Sequence, residues 1–299
     1  KSLNIAEQLD SKKGIVAALI GIGNIYYVLS NYDQALDYYN RSLKIADLLD
    51  EKKVSGAIQT NLAAICFTKG DLDGSLNYSK KALKIFTELG DKRQCCQALN
   101  NIGNAYMEKR DYNIALRTLQ EALQIGEEIG AKRQIASSLS SISRGFLESG
   151  DYLSAIDYQT RSLTIFNEIG EKNAIATCLS IFSDIYSDKG EYNRAMEYSR
   201  RALIIREETG DQTGVATSFD YVGYIYLIQN AIDSSRTYFE KSLAIKNNMV
   251  SSADELLWST TNLYLTYKNL GIEYDEKEIR RLIKEIEHIG FKLNYAIYQ

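Results

Sequence analysis

The sequence predicts an all-α protein, a right-handed α-solenoid of antiparallel helix pairs, and three observations carry that expectation. A pattern of large and small residues returns every 40 positions along the 299 residues. Proline is absent, where average usage would place about 15 in a chain of this length. Glycine recurs where helices of that period would have to end. Proline interrupts helices and stiffens linkers, so its absence fits helices joined by short loops.

The period is read from separate series of residues. Leu3, Leu43, Leu83, Leu123, Leu163, Leu203 and Leu243 fall in step. A small series runs Ala35, Ser75, Ala115, Ala155, Ala195, Ser235, and another Gly23, Ala63, Gly103, Ser143, Ser183, Gly223. The large series Tyr26, Cys66, Tyr106, Phe146, Tyr186, Tyr226 keeps a register of its own. Small and large residues recurring at distinct registers specify how helices interlock, and a helix pair of this size buries its apolar face only by stacking on neighbours.

The elements follow in order. Residues 1–10 read as the second helix of a truncated repeat, so the chain is expected to be a piece cut at its N-terminus. Six repeats of 40 residues then fill 13–249, as pairs at 13–49, 53–89, 93–129, 133–169, 173–209 and 213–249. In the clearest pair, Leu99, Ile102, Gly103 and Tyr106 share one helical face, and Tyr112, Ala115, Leu116, Leu119, Leu123 and Ile125 line the facing helix. Gly103 and Ala115 allow close approach of the two helices. Gly90, Gly130, Gly170 and Gly210 are placed to end second helices in the left-handed conformation. Gly70–Asp71, Gly150–Asp151 and Gly190–Glu191 mark the turn inside a pair, with Asp71 and Asp151 as N-caps. A divergent C-terminal repeat or cap spans 253–289, after a longer loop that brings Tyr267 and Gly271 one residue late. Its second helix, about 275–289, is charged on one side as a terminal cap should be. Residues 290–299 form a tail.

Composition narrows the function. A 45% hydrophobic, 25% charged chain is ordered and globular. Net charge is −4, divided as +2 over residues 1–150 and −6 over 151–299. Neither half is basic enough for general nucleic-acid binding. No apolar run is long enough to cross a bilayer, and KSLNIAEQLD lacks the apolar core of a signal peptide. Cys66, Cys95, Cys96 and Cys178 are too few and too spread for a disulfide scaffold, so a reducing, cytoplasmic setting is expected. A single His288 builds no histidine cluster, and adjacent Cys95 and Cys96 match no zinc or redox spacing. No phosphate-cradling glycine motif is present. The expectation is no catalytic residue, no cofactor and no metal.

These units resemble the tetratricopeptide repeat. Gly103, Tyr106, Ala115 and Ala122 occupy the positions where that repeat's two helices interlock, and GIGNIY (21–26), NIGNAY (101–106) and GDYLSA (150–155) are among its common phrases. The usual proline after the second helix is missing, and the period is 40 rather than 34. The longer unit is similar to a subclass that includes LGN/Pins-type spindle adaptors, kinesin light chains and bacterial Rap-type and sensor-linked repeats. The resemblance implies a scaffold that holds a peptide or extended partner segment in a concave groove lined by first helices. The groove positions it implies are Ile20, Asn24, Tyr27, Phe67, Asn100, Asn104, Glu108, Arg144, Glu148, Asp184, Asp188 and Asp220. Their order gives an apolar early floor and an amide-rich, acidic later stretch, which favours a basic, amphipathic segment. Arg144 is expected to neutralise Glu148 at i+4. The Lys-rich clamp by which some relatives hold chaperone tails is absent at Ile20, Asn24, Asn61, Gln97 and Asn101. Two alternatives stand beside this reading. One is a regulatory or sensor repeat region controlling an adjoining catalytic or DNA-binding domain, which would be an intramolecular partner. The other is a self-assembly module stacking end to end.

Overall fold

The computed structural model of the chain describes residues 11–29, 31–248 and 253–271, with the single positions 277, 280, 281 and 284. The helix expected at 1–10, most of the one expected at 275–289 and the tail 290–299 lie outside the described residues. Helices follow one another as α1 (Lys12–Val28), α2 (Tyr32–Leu48), α3 (Lys52–Thr68), α4 (Leu72–Glu88), α5 (Lys92–Glu108), α6 (Tyr112–Glu128), α7 (Lys132–Glu148) and α8 (Tyr152–Ile169). They continue as α9 (Lys172–Asp188), α10 (Tyr192–Thr209), α11 (Gln212–Ile228), α12 (Ile232–Asn247) and α13 (Ala253–Asn269). No strand occurs among the described residues. The all-α, helix-pair expectation holds.

The joints show why each helix stops where it does. At Leu89–Gly90–Asp91, Gly90 is left-handed with φ 66°. The Gly90 amide donates to Thr87 O at 3.1 Å and the Asp91 amide to Phe86 O at 2.9 Å, closing the end of α4. The Asp91 carboxylate then accepts from the Gln94 amide at 3.2 Å and opens α5. Asp71, Asp151 and Asp211 cap in the same way, on Gly74, Ser154 and Gly214. Asp50, Arg110 and Asn230 are left-handed without being glycine.

Contacts divide the chain into two units, residues 1–165 and 166–299. In the first, α1 packs on α2, α3 on α4 and α5 on α6, while α2, α4 and α6 each pack on the helix that follows. The first helices α3, α5 and α7 also touch in succession. In the second unit α9 packs on α10 and α11 on α12, with α10 on α11, α12 on α13, and α11 on α13. Each core is therefore made between neighbours along the chain.

Packing within a pair follows the small and large series. A Cβ on Gly103 would lie 2.5 Å from Cγ of Leu119, which is fully buried. One on Gly23 would lie 2.8 Å from the Tyr39 ring. The serines of the same series are satisfied by hydrogen bonds: Ser143 donates to Ala155 O at 2.7 Å, and Ser183 meets Ser199 at 2.7 Å. A recurring aromatic pair joins the two helices of a repeat. Tyr26 stacks on Tyr38 at 5.4 Å, Phe146 on Tyr158 at 5.3 Å, Tyr186 on Tyr198 at 5.4 Å and Tyr226 on Tyr238 at 5.6 Å. The four cysteines are buried and none forms a disulfide.

Candidate functional site

A repeat of 40 puts residue n and residue n+40 at the same height on successive first helices. In the first unit this brings Tyr27 of α1, Phe67 of α3 and Asn104 of α5 to one cavity of about 160 Å³. The hollow exists because α3 carries small residues there. Ala64 stands where α1 has Asn24 and α5 has Asn104, and with Ala63, Thr68 and Ser75 it leaves the space unfilled. Asn101 completes the lining.

The cavity offers a ring wall and amide groups. Phe67 is half-buried and packs toward Leu76, Ile102 and Ala105. Tyr27 is 39% exposed, and its hydroxyl pKa is raised, first by burial and then by neighbouring Tyr32, with the Thr68 hydroxyl opposing. The phenol therefore stays protonated and available as a donor. Asn101 and Asn104 are half-buried side chains that can both donate and accept. Next to the cavity's Tyr27, Asn24 is exposed and accepts from the Tyr39 hydroxyl at 2.5 Å. Ile20 is half-buried against the core around Val16 and Tyr39.

The acidic stretch is arranged differently from the sequence expectation. Arg144 donates to Glu108 at 3.1 Å, across from α7 to α5, rather than to Glu148 one turn away. The two first helices lie side by side, so a residue 36 positions back is as near as one four positions on. Glu148 instead accepts from the Tyr112 hydroxyl at 3.4 Å. In the second unit Asp184 is half-buried and meets the Tyr221 hydroxyl at 3.5 Å. Asp188 is exposed, and after burial its charge is the next cause of the raised pKa of Tyr224.

Asn100 and Asp220 do not face an open surface. Asn100 is 6% exposed and accepts from Ser138 at 2.8 Å. Asp220 is 4% exposed and accepts from Lys246 at 2.6 Å and from Ser259 at 2.9 Å. Asn100 turns toward α7 of the next helix pair and Asp220 toward α12 and α13, and the first unit's cavity is lined by Asn101, one step around α5, instead of Asn100. The signal for Asn101 was its i, i+3 spacing with Asn104.

Among the described residues, no group of three or more His, Cys, Asp and Glu could hold a metal ion. Among them no helix is long and apolar enough to cross a membrane. His288 lies outside the described residues.

A family model described as tetratricopeptide repeat matches residues 14–88, 54–128 and 94–168, and a second one of the same description matches 175–209. Among curated proteins, none matches the sequence at a significant level. Solved structures do match in fold. Aspartyl phosphate phosphatase F from Bacillus subtilis is 13% identical, with a TM-score of 0.66 over 97% of this chain and 74% of that one. A Rap protein complexed with Competence and Sporulation Factor is 16% identical, with a TM-score of 0.64 over 87% and 76%. The apo form of RapI is 21% identical, with a TM-score of 0.60 over 90% and 98%.

Proposed function

We propose, for a chain that belongs to the tetratricopeptide repeat family, that it is a binding scaffold whose first helices hold a peptide or extended segment of a partner protein. The observation that carries this reading is the cavity walled by Tyr27, Phe67, Asn101 and Asn104 on three successive first helices. It is large enough for one apolar side chain, and its amides are placed to hold the backbone beside that side chain. The Rap protein solved with Competence and Sporulation Factor supports the reading, since a fold of this kind there holds a partner. The preferred segment is basic and amphipathic. Its apolar residue enters the cavity, and its Lys or Arg residues meet exposed Glu148 of the same unit. Recognition works by complementarity, with no chemical step.

The test is selection of a random peptide library on the full chain. Enriched peptides should share an apolar residue followed by Lys or Arg. Their affinity should fall about tenfold with Asn104→Ala, the loss of one half-buried hydrogen-bonding group, and further with Phe67→Glu. Peptides that bind wild type, Asn104→Ala and Phe67→Glu equally would sink the reading.

A further inference from the structure

A second concavity lies in the second unit, away from the first-helix cavity. It is a furrow of about 450 Å³ between α10 and the C-terminal end of α11. The repeat supplies its own control for what is unusual there. At the corresponding furrow two repeats of the first unit close the mouth with an ion pair, Lys69–Asp33 at 2.5 Å and Lys109–Asp73 at 2.6 Å. In this furrow the same two positions are the neutral amides Gln229 and Asn193, so no ion pair spans the mouth.

The lining changes as well. Ile204 is 54% exposed at a position that is Lys44, Lys84, Gln124, Thr164 and Ala244 elsewhere. With Met196 beneath, at a position that is Leu36, Leu76, Leu116 and Ile156 in other repeats, Ile204 extends an apolar strip outward where those repeats carry a polar residue. Beside the strip stand two cations. Arg200 donates to the Tyr226 hydroxyl at 3.1 Å, which fixes its guanidinium and leaves further donors on the fork. Arg201 lies over the Tyr198 ring at 5.4 Å and meets Glu197 only at 3.8 Å. The other furrow with neutral positions, at Asn113 and Ser149, carries Gln120, Glu121 and Gln124 in place of these cations and this isoleucine.

We infer that this furrow is a second binding site, for a protein segment that places a carboxylate next to an aliphatic side chain. The carboxylate meets the Arg200–Arg201 edge and the aliphatic group covers Met196 and Ile204. An arginine fork beside a ring-anchored partner suits a carboxylate better than a point cation would. The charge preference is opposite to that of the first-helix face, so the two sites take different segments.

Three labelled peptides test this on the full chain: one built of Glu and Leu, one with Gln for Glu, and one with Ser for Leu. Wild type should bind the Glu–Leu peptide at least tenfold more tightly than either other peptide, and less tightly as salt rises. Asn193→Asp with Gln229→Lys rebuilds the ion pair seen at Asp73–Lys109, and should cut that affinity at least tenfold. Ile204→Gln installs the neutral residue found at Gln124, removing the apolar cover without adding charge, and should do the same. Circular dichroism reports whether both variants keep their helices, and Lys172→Ala, which removes a cation elsewhere in the unit, should leave binding unchanged. Equal affinity for the three peptides, no binding at millimolar concentration, or loss with Lys172→Ala alone would each overturn the inference. So would full binding by the folded furrow variants.

Discussion

Asp220 and Lys246 form an ion pair whose side chains are 6% and 7% exposed, with Ser259 completing the shell. Charges that deep pay a desolvation cost that only mutual contact offsets. Lys246→Met alone should therefore cost about 3–5 kcal/mol, by leaving a buried carboxylate unpaired. The joint change Asp220→Leu with Lys246→Met should be neutral or stabilising by about 1–4 kcal/mol. Urea titrations of both would decide it, and a double variant less stable than the single one would contradict the argument. Cys66 is a second buried group, whose thiol is pushed up from 9.0 to about 11, first by burial and then by the Asp71 charge. At pH 8 its thiolate fraction is about a hundredfold below that of an ordinary thiol, and iodoacetamide labelling should slow accordingly. Site-resolved mass spectrometry giving the rate of a free cysteine would refute this. Arg110 sits at φ 63°, where an L side chain crowds the backbone. Arg110→Gly should raise stability by about 0.5–1 kcal/mol, read as a shift in the denaturation midpoint without a change in slope.

At the scale of a helix pair, close approach governs. Gly103→Ala pushes a methyl into Leu119, which has no room to retreat, and should destabilise by about 1–3 kcal/mol. The same change at the left-handed joints would act through backbone strain instead. This interlock was legible from residues alone, because the small series and the large series occupy fixed registers and nothing else explains them. The joints were legible for the same reason, with Gly90, Gly130, Gly170 and Gly210 all left-handed. What stayed hidden depends on neighbours distant in sequence. Arg144 had an obvious acid one turn away, yet it pairs with Glu108 on the adjoining helix. Asp220 looked like one more exposed acid, and only Lys246 rising from α12 turns it inward. The stack of Tyr26 on Tyr38 was half visible: Tyr38, Tyr78, Tyr158, Tyr198 and Tyr238 recur at 40, but periodicity does not say which ring meets which.

Over the whole molecule, contacts run between neighbours in the chain, so stability is expected to be a sum of local terms. Phe86 is 1% exposed and packs with Ala82, Cys95 and Ala98, from α4 to α5. Phe86→Ala should cost about 3–5 kcal/mol locally. Hydrogen exchange should accelerate in α3, α4 and α5 while α11 and α12 keep their wild-type rates. Uniform acceleration along the chain would mean a single cooperative body. Exposed ion pairs such as Lys52–Glu88, Lys92–Glu128 and Lys172–Glu208 repeat along both units, but each is worth only about 0–1 kcal/mol.

The joint at Leu89–Gly90–Asp91 ends one helix and begins the next with the same residues, and its counterparts recur at the 40-residue interval. Any copy of the unit is thus cut and spliced at matching ends. A gene encoding such a chain can gain or lose blocks of one repeat by misaligned recombination, and the new seam needs no repair. An insertion of a single codon has no such licence, because it would turn every later side chain about a hundred degrees around its helix.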